Sequence, residues 1–159
     1  MILREARGRD RHDAELTESA YWPDGQDEHG PVPFSLTDYP EIANKGHAMA
    51  FAANAHNITN HSCEIDGDTA WCESYVMGGL LSHDGKTCKI AMGRYADQLE
   101  RRGGEWRIKW RRSIVEMVCE GDASWLESPA IKGFIKGARS RDDVSYQRPV
   151  VIGTPTERW

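Results

Sequence analysis

The chain has 159 residues, which is enough for one domain with a hydrophobic core. It carries 20 basic and 25 acidic residues, and its net charge of -5 argues against a nucleic-acid-binding protein, which would need a basic excess. The sequence contains no apolar run of transmembrane length, and its charged N-terminus does not resemble a signal peptide. We therefore expect a cytoplasmic protein that binds neither nucleic acid nor membrane.

The cysteines give no sign of a metal site. Cys63, Cys72, Cys88 and Cys119 lack the C-x-x-C spacing of zinc sites, and they do not form the pattern of a disulfide framework. Without a secretory signal, the default is four reduced thiols.

Two helices are predicted in the N-terminal part of the chain. The first runs from Leu3 to Tyr21, and Gly8, which costs roughly 1 kcal/mol relative to alanine in a helix, predicts a break near residues 8 to 13. Pro23-Asp24-Gly25 then predicts a turn. The second helix is expected from Ser35 to Ala53, with Pro40 in its first turn. Its expected inner residues are Ile42, Met49, Ala50 and Phe51.

Beyond Asn54 the pattern becomes that of β-strands. Asp66-Gly67-Asp68 indicates a hairpin, and short glycine-containing turns separate four strands at 55–65, 69–81, 87–101 and 105–119. Gly78-Gly79 suggests a bulge or a close backbone approach. A short helix is predicted at 125–136. Helices followed by a run of strands indicate an α+β fold, with one domain at 1–137. Residues 138–159 read as a tail that packs on this domain or on a neighbouring subunit.

The first strand presents candidate polar residues. His56 and Asn60 are separated by an even number of positions and are expected to share a face of the strand. His61 lies at an odd offset, so we expect it on the opposite face, which argues against a metal pair with His56. A histidine on a strand can be a base, a ligand or a core residue, and the pattern alone leaves these alternatives open.

Several segments in order resemble a known family. They are GRDRHDAEL, YWPDG, DEHG, HNITN, DGDTAWCESY, GRYADQLERRGGEWRI and WRR, which together cover the chain from about Arg7 to Tyr146. The series resembles the SnoaL-like branch of the nuclear transport factor 2-like superfamily. The resemblance implies a cone-shaped, curved antiparallel sheet wrapped around helices, with a deep pocket between them. Members include scytalone dehydratase, bile-acid 7α-dehydratase, hexachlorocyclohexane dehydrochlorinase, polyketide cyclases, ketosteroid isomerase and non-catalytic proteins, so the fold alone does not decide the function.

The resemblance also implies site residues. In the dehydratase-like members a histidine on the first long strand is the base, and an aspartate in the first helix orients it; His56 and Asp10 match these positions. Arg111, five residues after Trp106, matches a pocket arginine, although the neighbouring Arg112 could face the pocket in its place. Tyr95 matches an aromatic pocket residue. The chain departs from the pattern at Glu5, where some members carry a polar or tyrosine pocket residue.

These matches predict a cofactor-independent lyase of the dehydratase or elimination type, with His56 as base, Asp10 as its orienting group and Arg111 assisting the leaving group. The substrate is expected to be small, hydrophobic, and cyclic or aromatic. The expected substrate-binding residues are Tyr95, Trp22, Trp71, His29, Asn60 and Tyr75. An isomerase or polyketide-cyclase-like enzyme with the same base, and a non-catalytic accessory subunit, are the alternatives. No metal and no cofactor are expected. The family also predicts a homodimer or homotrimer through the outer face of the sheet.

Overall fold

The computed structural model describes all residues from Met1 to Trp159. The helices and strands, in chain order, are α1 (Ile2–Asp10), α2 (Ala14–Glu18), β1 (Tyr21–Glu28), β2 (Pro33–Ser35), α3 (Tyr39–Ala50), β3 (Ala53–Asp66), β4 (Thr69–Leu81), β5 (Thr87–Arg102) and β6 (Glu105–Asp122). Short 3₁₀ helices follow at Ser124–Glu127 and Val144–Tyr146.

One curved six-stranded sheet dominates the molecule. Its strand order is β2-β1-β6-β5-β4-β3. Strands β3 to β6 form an antiparallel meander, whereas β1 runs parallel to β6 and carries β2 on its free edge. The α+β prediction with a curved, mainly antiparallel sheet is confirmed. The hydrophobic core lies between this sheet and the N-terminal helices, and it includes Ile2, Tyr21, Tyr39, Leu99 and Ile108.

Bulges bend the sheet around the helices. The register shifts between Ile58 and His61 in β3, and again near Gly93 and near Leu99 in the pairing of β5 with β6. At Gly93 the backbone of Ile114 occupies the space that a Cβ atom would need. Because each bulge adds twist and curvature, the two ends of the sheet approach each other on its inner face. No bulge lies at Gly78-Gly79, where the pairing is regular.

The predicted break in the first helix is confirmed. Helix α1 ends at Asp10, and α2 begins after Asp13, whose carboxylate accepts a hydrogen bond from the Leu16 amide at 3.1 Å. Thr17 of α2 lies directly on Gly8, where a Cβ atom would be 2.6 Å from the Thr17 nitrogen. Gly8 therefore permits close packing of the two helices.

Strands β1 and β2 were not predicted. Pro23-Asp24-Gly25 lies inside β1 and produces a register shift there, between Tyr21 and Gln26, in place of a turn. A Cβ atom on Gly25 would lie 3.1 Å from the carbonyl oxygen of Lys109 in β6, so the glycine permits a close approach of two backbones.

The predicted inner face of the second helix is wrong. Helix α3 buries Tyr39, Pro40 and Asn44, whereas Met49 is 83% exposed and Ile42 is also exposed. The reason is that a polar side of this helix, including His47, faces the inner surface of the sheet. Pro40 does lie in the first turn, as predicted.

The C-terminal tail lies against the helices of its own chain. Arg141 forms an ion pair with Asp13 at 2.9 Å, and Arg11 forms one with Asp143 at 2.9 Å. The predicted helix at 125–136 is reduced to the short 3₁₀ helix at Ser124–Glu127. None of the helices is both long enough and apolar enough to cross a membrane.

The prediction of four reduced thiols is wrong. Cys63 and Cys72 lie directly opposite each other in the β3–β4 hairpin and form a disulfide. Cys88 and Cys119 are free. The hairpin register explains the pairing, which the linear spacing of the cysteines does not reveal.

Candidate active site

Asp10 and His56 form a close histidine–carboxylate pair. Asp10 is the last residue of α1, and its Oδ1 lies 2.6 Å from Nδ1 of His56 on the inner face of β3. The backbone amide of His56 donates to both carboxylate oxygens at 2.9 and 3.0 Å, and Asn54 Nδ2 donates to Oδ1 at 3.1 Å. The side chains of Asp10 and His56 are 14% and 8% exposed. Because Nδ1 of His56 is held by the carboxylate, Nε2 is the ring nitrogen that remains for a substrate.

His56 lines a cavity of about 120 Å³ between α3 and the inner face of the sheet. Three histidines surround this cavity, and small or apolar residues supply most of the remaining wall. The lining residues are His29, His47, His56, Val76, Gly78, Leu80, Ala91, Met92, Gly93, Tyr95, Ser113, Ile114 and Val115. The volume suits a single six-membered ring, since a dry cavity of about 150 Å³ accepts benzene.

His47 of α3 was missed by the sequence analysis. Its ring stacks on that of His56, with the ring centroids 5.6 Å apart and the planes 20° from parallel. Burial, together with the positive charges of Arg9 and of protonated His56, lowers the pKa of His47 to about 3. His47 therefore stays neutral near pH 7 and adds no fixed charge beside His56. No periodicity in α3 distinguishes this histidine from a surface residue.

His29 lines the same cavity and faces a second carboxylate. Its Nδ1 lies 2.8 Å from Ser113 Oγ, 3.2 Å from the Tyr39 hydroxyl and 3.6 Å from Oδ1 of Asp27. Asp27 is completely buried, and its Oδ2 accepts a hydrogen bond from the Tyr21 hydroxyl at 2.6 Å. His29 was among the predicted substrate-binding residues, whereas Asp27 was not.

Asp27 is a buried carboxylate without an arginine in contact. Its Oδ1 has no hydrogen-bond partner. Burial acts to raise the pKa of Asp27, but the adjacent His29, the charge of Arg111 and the hydrogen bond from Tyr21 act against it, and the net effect is a lowered pKa. Asp27 therefore carries a negative charge that His29 is best placed to neutralise.

Arg111 faces the inner side of the sheet but does not line the cavity. Its guanidinium donates two hydrogen bonds to Asp97, at 2.7 and 2.8 Å, and a third to Glu5 at 2.7 Å. The side chain is 1% exposed and lies under the ring of Tyr95, 4.0 Å from its centroid. Arg112 faces the outer side and pairs with Glu28. The expected contact between Arg111 and a leaving group is therefore wrong, because each of its three nitrogens donates to a buried carboxylate and the side chain does not line the cavity.

Tyr95 lines the cavity, as expected, but four other expected substrate-binding residues do not. Trp71 and Tyr75 point to the outer face of β4 and are 50% and 44% exposed. Trp22 donates from Nε1 to the carbonyl oxygen of Glu100, away from the cavity. Asn60 is exposed at the bulge in β3.

The bulge also corrects the placement of His61. Residues His56 and His61 pair with Gly78 and Ser74, which lie on the same face of β4, so both histidines face inward. The even-offset rule fails because the register shift adds one residue between them. His61 nevertheless lies away from the cavity and bonds to Ser74 Oγ at 2.8 Å.

The comparisons with known proteins show the family. Residues 2–112 match the model of the SnoaL-like domain, which is more than half of the chain, so this protein belongs to the SnoaL-like family. A search of curated proteins found no match.

Solved structures show the same fold. A hexachlorocyclohexane dehydrochlorinase of type 2 superposes with a TM-score of 0.69 at 17% identity, over 76% of this chain and 83% of that chain. A candidate scytalone dehydratase from Novosphingobium aromaticivorans gives 0.66 at 17% identity, over 74% and 80%. A protein of unknown function from Mycobacterium tuberculosis is 27% identical, with a TM-score of 0.64 over 72% and 67%. The cone-shaped nuclear transport factor 2-like fold is thus confirmed, and the family supports an enzyme that modifies small molecules.

Proposed function

We propose that this protein is a cofactor-independent lyase that eliminates a small group from a cyclic, mainly hydrophobic substrate. The observation that carries the proposal is the 2.6 Å contact between Asp10 and His56 at the wall of the cavity. In this reaction His56 Nε2 removes a proton from carbon, and the electron pair of that bond expels the leaving group. Asp10 acts as a positioning residue, because its carboxylate fixes the ring tautomer and stabilises the imidazolium that forms.

The surroundings of His56 favour its role as a base. Neutral His47 stacks on the ring, and the cavity lining contains no lysine or arginine. His56 can therefore take up a proton without facing a second fixed positive charge in the lining. A positioned base of this kind contributes about 10²- to 10⁴-fold to the rate.

The volume and lining of the cavity favour a compact ring as substrate. About 120 Å³ accommodates one six-membered ring, and Val76, Leu80 and Ala91 provide apolar contacts. Tyr95, Ser113 and His29 are the polar groups that can orient such a ring through a carbonyl or hydroxyl oxygen.

The test is a screen of cyclic alcohols and halides that carry a carbonyl group, with products identified by mass. We expect a product lighter by one leaving group, lost activity in His56→Gln, and a fall of about 10²- to 10⁴-fold in kcat for Asp10→Asn. His83→Gln, on the exposed turn between β4 and β5, is the matched control and should keep full activity. An unchanged product mass would favour an isomerase or cyclase, and full activity in His56→Gln would exclude His56 as the base.

We also propose that the protein forms a homodimer or homotrimer through the outer face of the sheet. Trp71, Tyr75 and Trp110 are large side chains exposed there. Light scattering after size exclusion would test this, because a Trp71→Glu, Trp110→Glu double variant should elute as a monomer. A wild-type protein that is itself monomeric would exclude the proposal.

A further inference from the structure

We propose that His29 and Asp27 form a second histidine–carboxylate pair that gives a proton to the leaving oxygen, so that the substrate is a β-hydroxy carbonyl compound. This inference rests on the proposed elimination at His56. It adds a catalytic residue on the opposite wall of the cavity, and it restricts the substrate class to alcohols, whose leaving group needs a proton.

The topology places the two histidines on opposite walls. His56 lies on β3 at one edge of the sheet, and His29 directly follows β1, which is beyond β4, β5 and β6. The curvature of the sheet brings both to one cavity. Gly78 and Gly93 line the cavity between them. A ring held in this space therefore has one histidine on each side.

The contacts of His29 direct one ring nitrogen inward and leave the other for the ligand. Nδ1 faces Ser113 Oγ, the Tyr39 hydroxyl and Asp27 Oδ1. Nε2 is thus the nitrogen that remains for the cavity. Asp27 Oδ1 is buried without a hydrogen-bond partner, and Nδ1 of His29, 3.6 Å away, is within ion-pair distance of it when the ring is protonated. Both the neutral Nε2–H tautomer and the doubly protonated ring can donate from Nε2, and the doubly protonated ring, with its charge beside Asp27, is the stronger acid.

No arginine can replace His29 in this role. Arg111 is held by Asp97 and Glu5, and Arg9 is buried against Tyr39 and His47. Neither lines the cavity. A leaving hydroxide therefore meets no fixed cation, and the proton of His29 is the group that can assist its departure.

The reaction balances as the loss of water. His56 Nε2 accepts the proton from the carbon next to the carbonyl group, and the electrons of that C–H bond form the new C=C bond. The C–O bond breaks with its electron pair on oxygen, which takes the proton from His29 Nε2 and leaves as water. His56 then returns its proton to solvent, and His29 takes one up, so the enzyme is unchanged overall.

Several groups face the His29 ring or share its cavity. They are Asp27 on β1, Tyr39 and His47 on α3, His56 on β3, Tyr95 on β5 and Ser113 on β6. Of these, the buried Asp27 carboxylate is the negative group nearest to the ring. It is a positioning residue, because it lies on the Nδ1 side of the ring and so favours the orientation in which Nε2 faces the ligand.

The experiment compares two probes that give the same product. 3-Hydroxycyclohexanone must lose hydroxide, which needs a proton, whereas 3-acetoxycyclohexanone loses acetate, which does not. Both give cyclohexenone, which is followed by its ultraviolet absorbance. We expect His29→Gln to lower kcat/KM for the hydroxy compound by about 10²- to 10⁴-fold and to leave the acetoxy compound largely unchanged. His56→Gln should abolish both reactions, and His83→Gln should affect neither.

Asp27→Asn provides an independent readout, because asparagine keeps the hydrogen bond to Tyr21 and removes the charge. The value of kcat/KM for 3-hydroxycyclohexanone should fall, while that for the acetoxy compound stays largely unchanged. Equal losses on both probes in His29→Gln, or no loss on either, would overturn the role of His29 while leaving His56 as the base. Retention of both reactions in His56→Gln, or a wild-type protein that acts on neither probe, would overturn the proposed function together with this inference.

Discussion

Replacement of Arg111 by methionine should lower the free energy of unfolding strongly and change kcat much less. Methionine has a similar length but no charge, so Arg111→Met leaves Glu5 and Asp97 buried without their main cation. Breaking a buried ion pair by removing one partner costs about 3–5 kcal/mol, because the remaining charge is unpaired. For a chain of this size that corresponds to a fall in Tm of roughly 6–20 °C.

The loss of unfolding free energy in Arg111→Met should be smaller at low pH than at high pH. Burial raises the pKa of Asp97, and the charge and hydrogen bonds of Arg111 oppose this effect. Without Arg111 the native state would bind a proton at Asp97 at pH values where the unfolded state has already lost it. The free energy of unfolding of Arg111→Met should therefore rise as the pH is lowered from 8 towards 5, and the deficit relative to wild type should shrink.

Urea unfolding followed by circular dichroism at pH 8 and pH 5.5 measures both effects. The matched control is Arg94→Met, because Arg94 also bridges two carboxylates, Glu73 and Glu116, but on the exposed outer face of the same sheet. It should change the unfolding midpoint little. The reasoning would be refuted if Arg111→Met unfolded like wild type while its kcat fell about 100-fold, since that result would place Arg111 at the reacting atoms.

Three further predictions test the helices and the hairpin. The pKa of His47 is near 6.5 in the unfolded chain and about 3 in the native protein, so the free energy of unfolding should fall as the pH drops through this window. Over the same pH range, the urea midpoint of His47→Gln should fall less steeply than that of wild type. Alkylation of the native protein should modify two cysteines before reduction and four after it, and Cys63→Ser should cost about 2 kcal/mol of unfolding free energy. Gly8→Ala should cost about 1–3 kcal/mol and lower kcat, because its Cβ would push α2 away and shift Asp10; unchanged stability and activity would contradict the packing at Gly8.

The hairpin shows how far local signals reach. Asp66-Gly67-Asp68 predicted the β3–β4 turn, and the observed pairing of Asp66 with Thr69 places Cys63 opposite Cys72. The sequence therefore contained the information for the disulfide. It was missed because the cysteines were judged by linear spacing and compartment and not by their register in the hairpin.

The bulges show where local signals stop. A period of two predicts the face of every residue on a regular strand, and it correctly separates Arg111 from Arg112. The same rule fails across the shift between Ile58 and His61, because one extra residue reverses the face. Bulges depend on packing between distant segments, such as Gly93 against Ile114. No short motif in β3 predicts the bulge of that strand.

Residue roles at the site depend on partners that are remote in the chain. Glu5 and Arg111 are separated by 106 positions, and their contact helps to hold the arginine away from the cavity lining. Likewise Pro23-Asp24-Gly25 predicted a turn where the structure has strand β1. Without this strand, the inward direction of Asp27 could not be predicted. The contact between His56 and Asp10 could be predicted because the family resemblance relates these two residues, which are 46 positions apart.

The buried charges give a physical reason for two histidine pairs around one cavity. Glu5 and Asp97 are neutralised by Arg111, with Arg9 4.0 Å from Glu5, whereas Asp27 contacts only a tyrosine hydroxyl and His29. In the proposed reaction His29 loses a proton at the step in which His56 gains one. The net charge of the cavity wall therefore stays constant while the C–O bond breaks. Because charge separation is expensive in a buried site of low dielectric constant, this exchange moves one positive charge from the side of Asp27 to the side of Asp10 without changing the net charge, which a single histidine could not do.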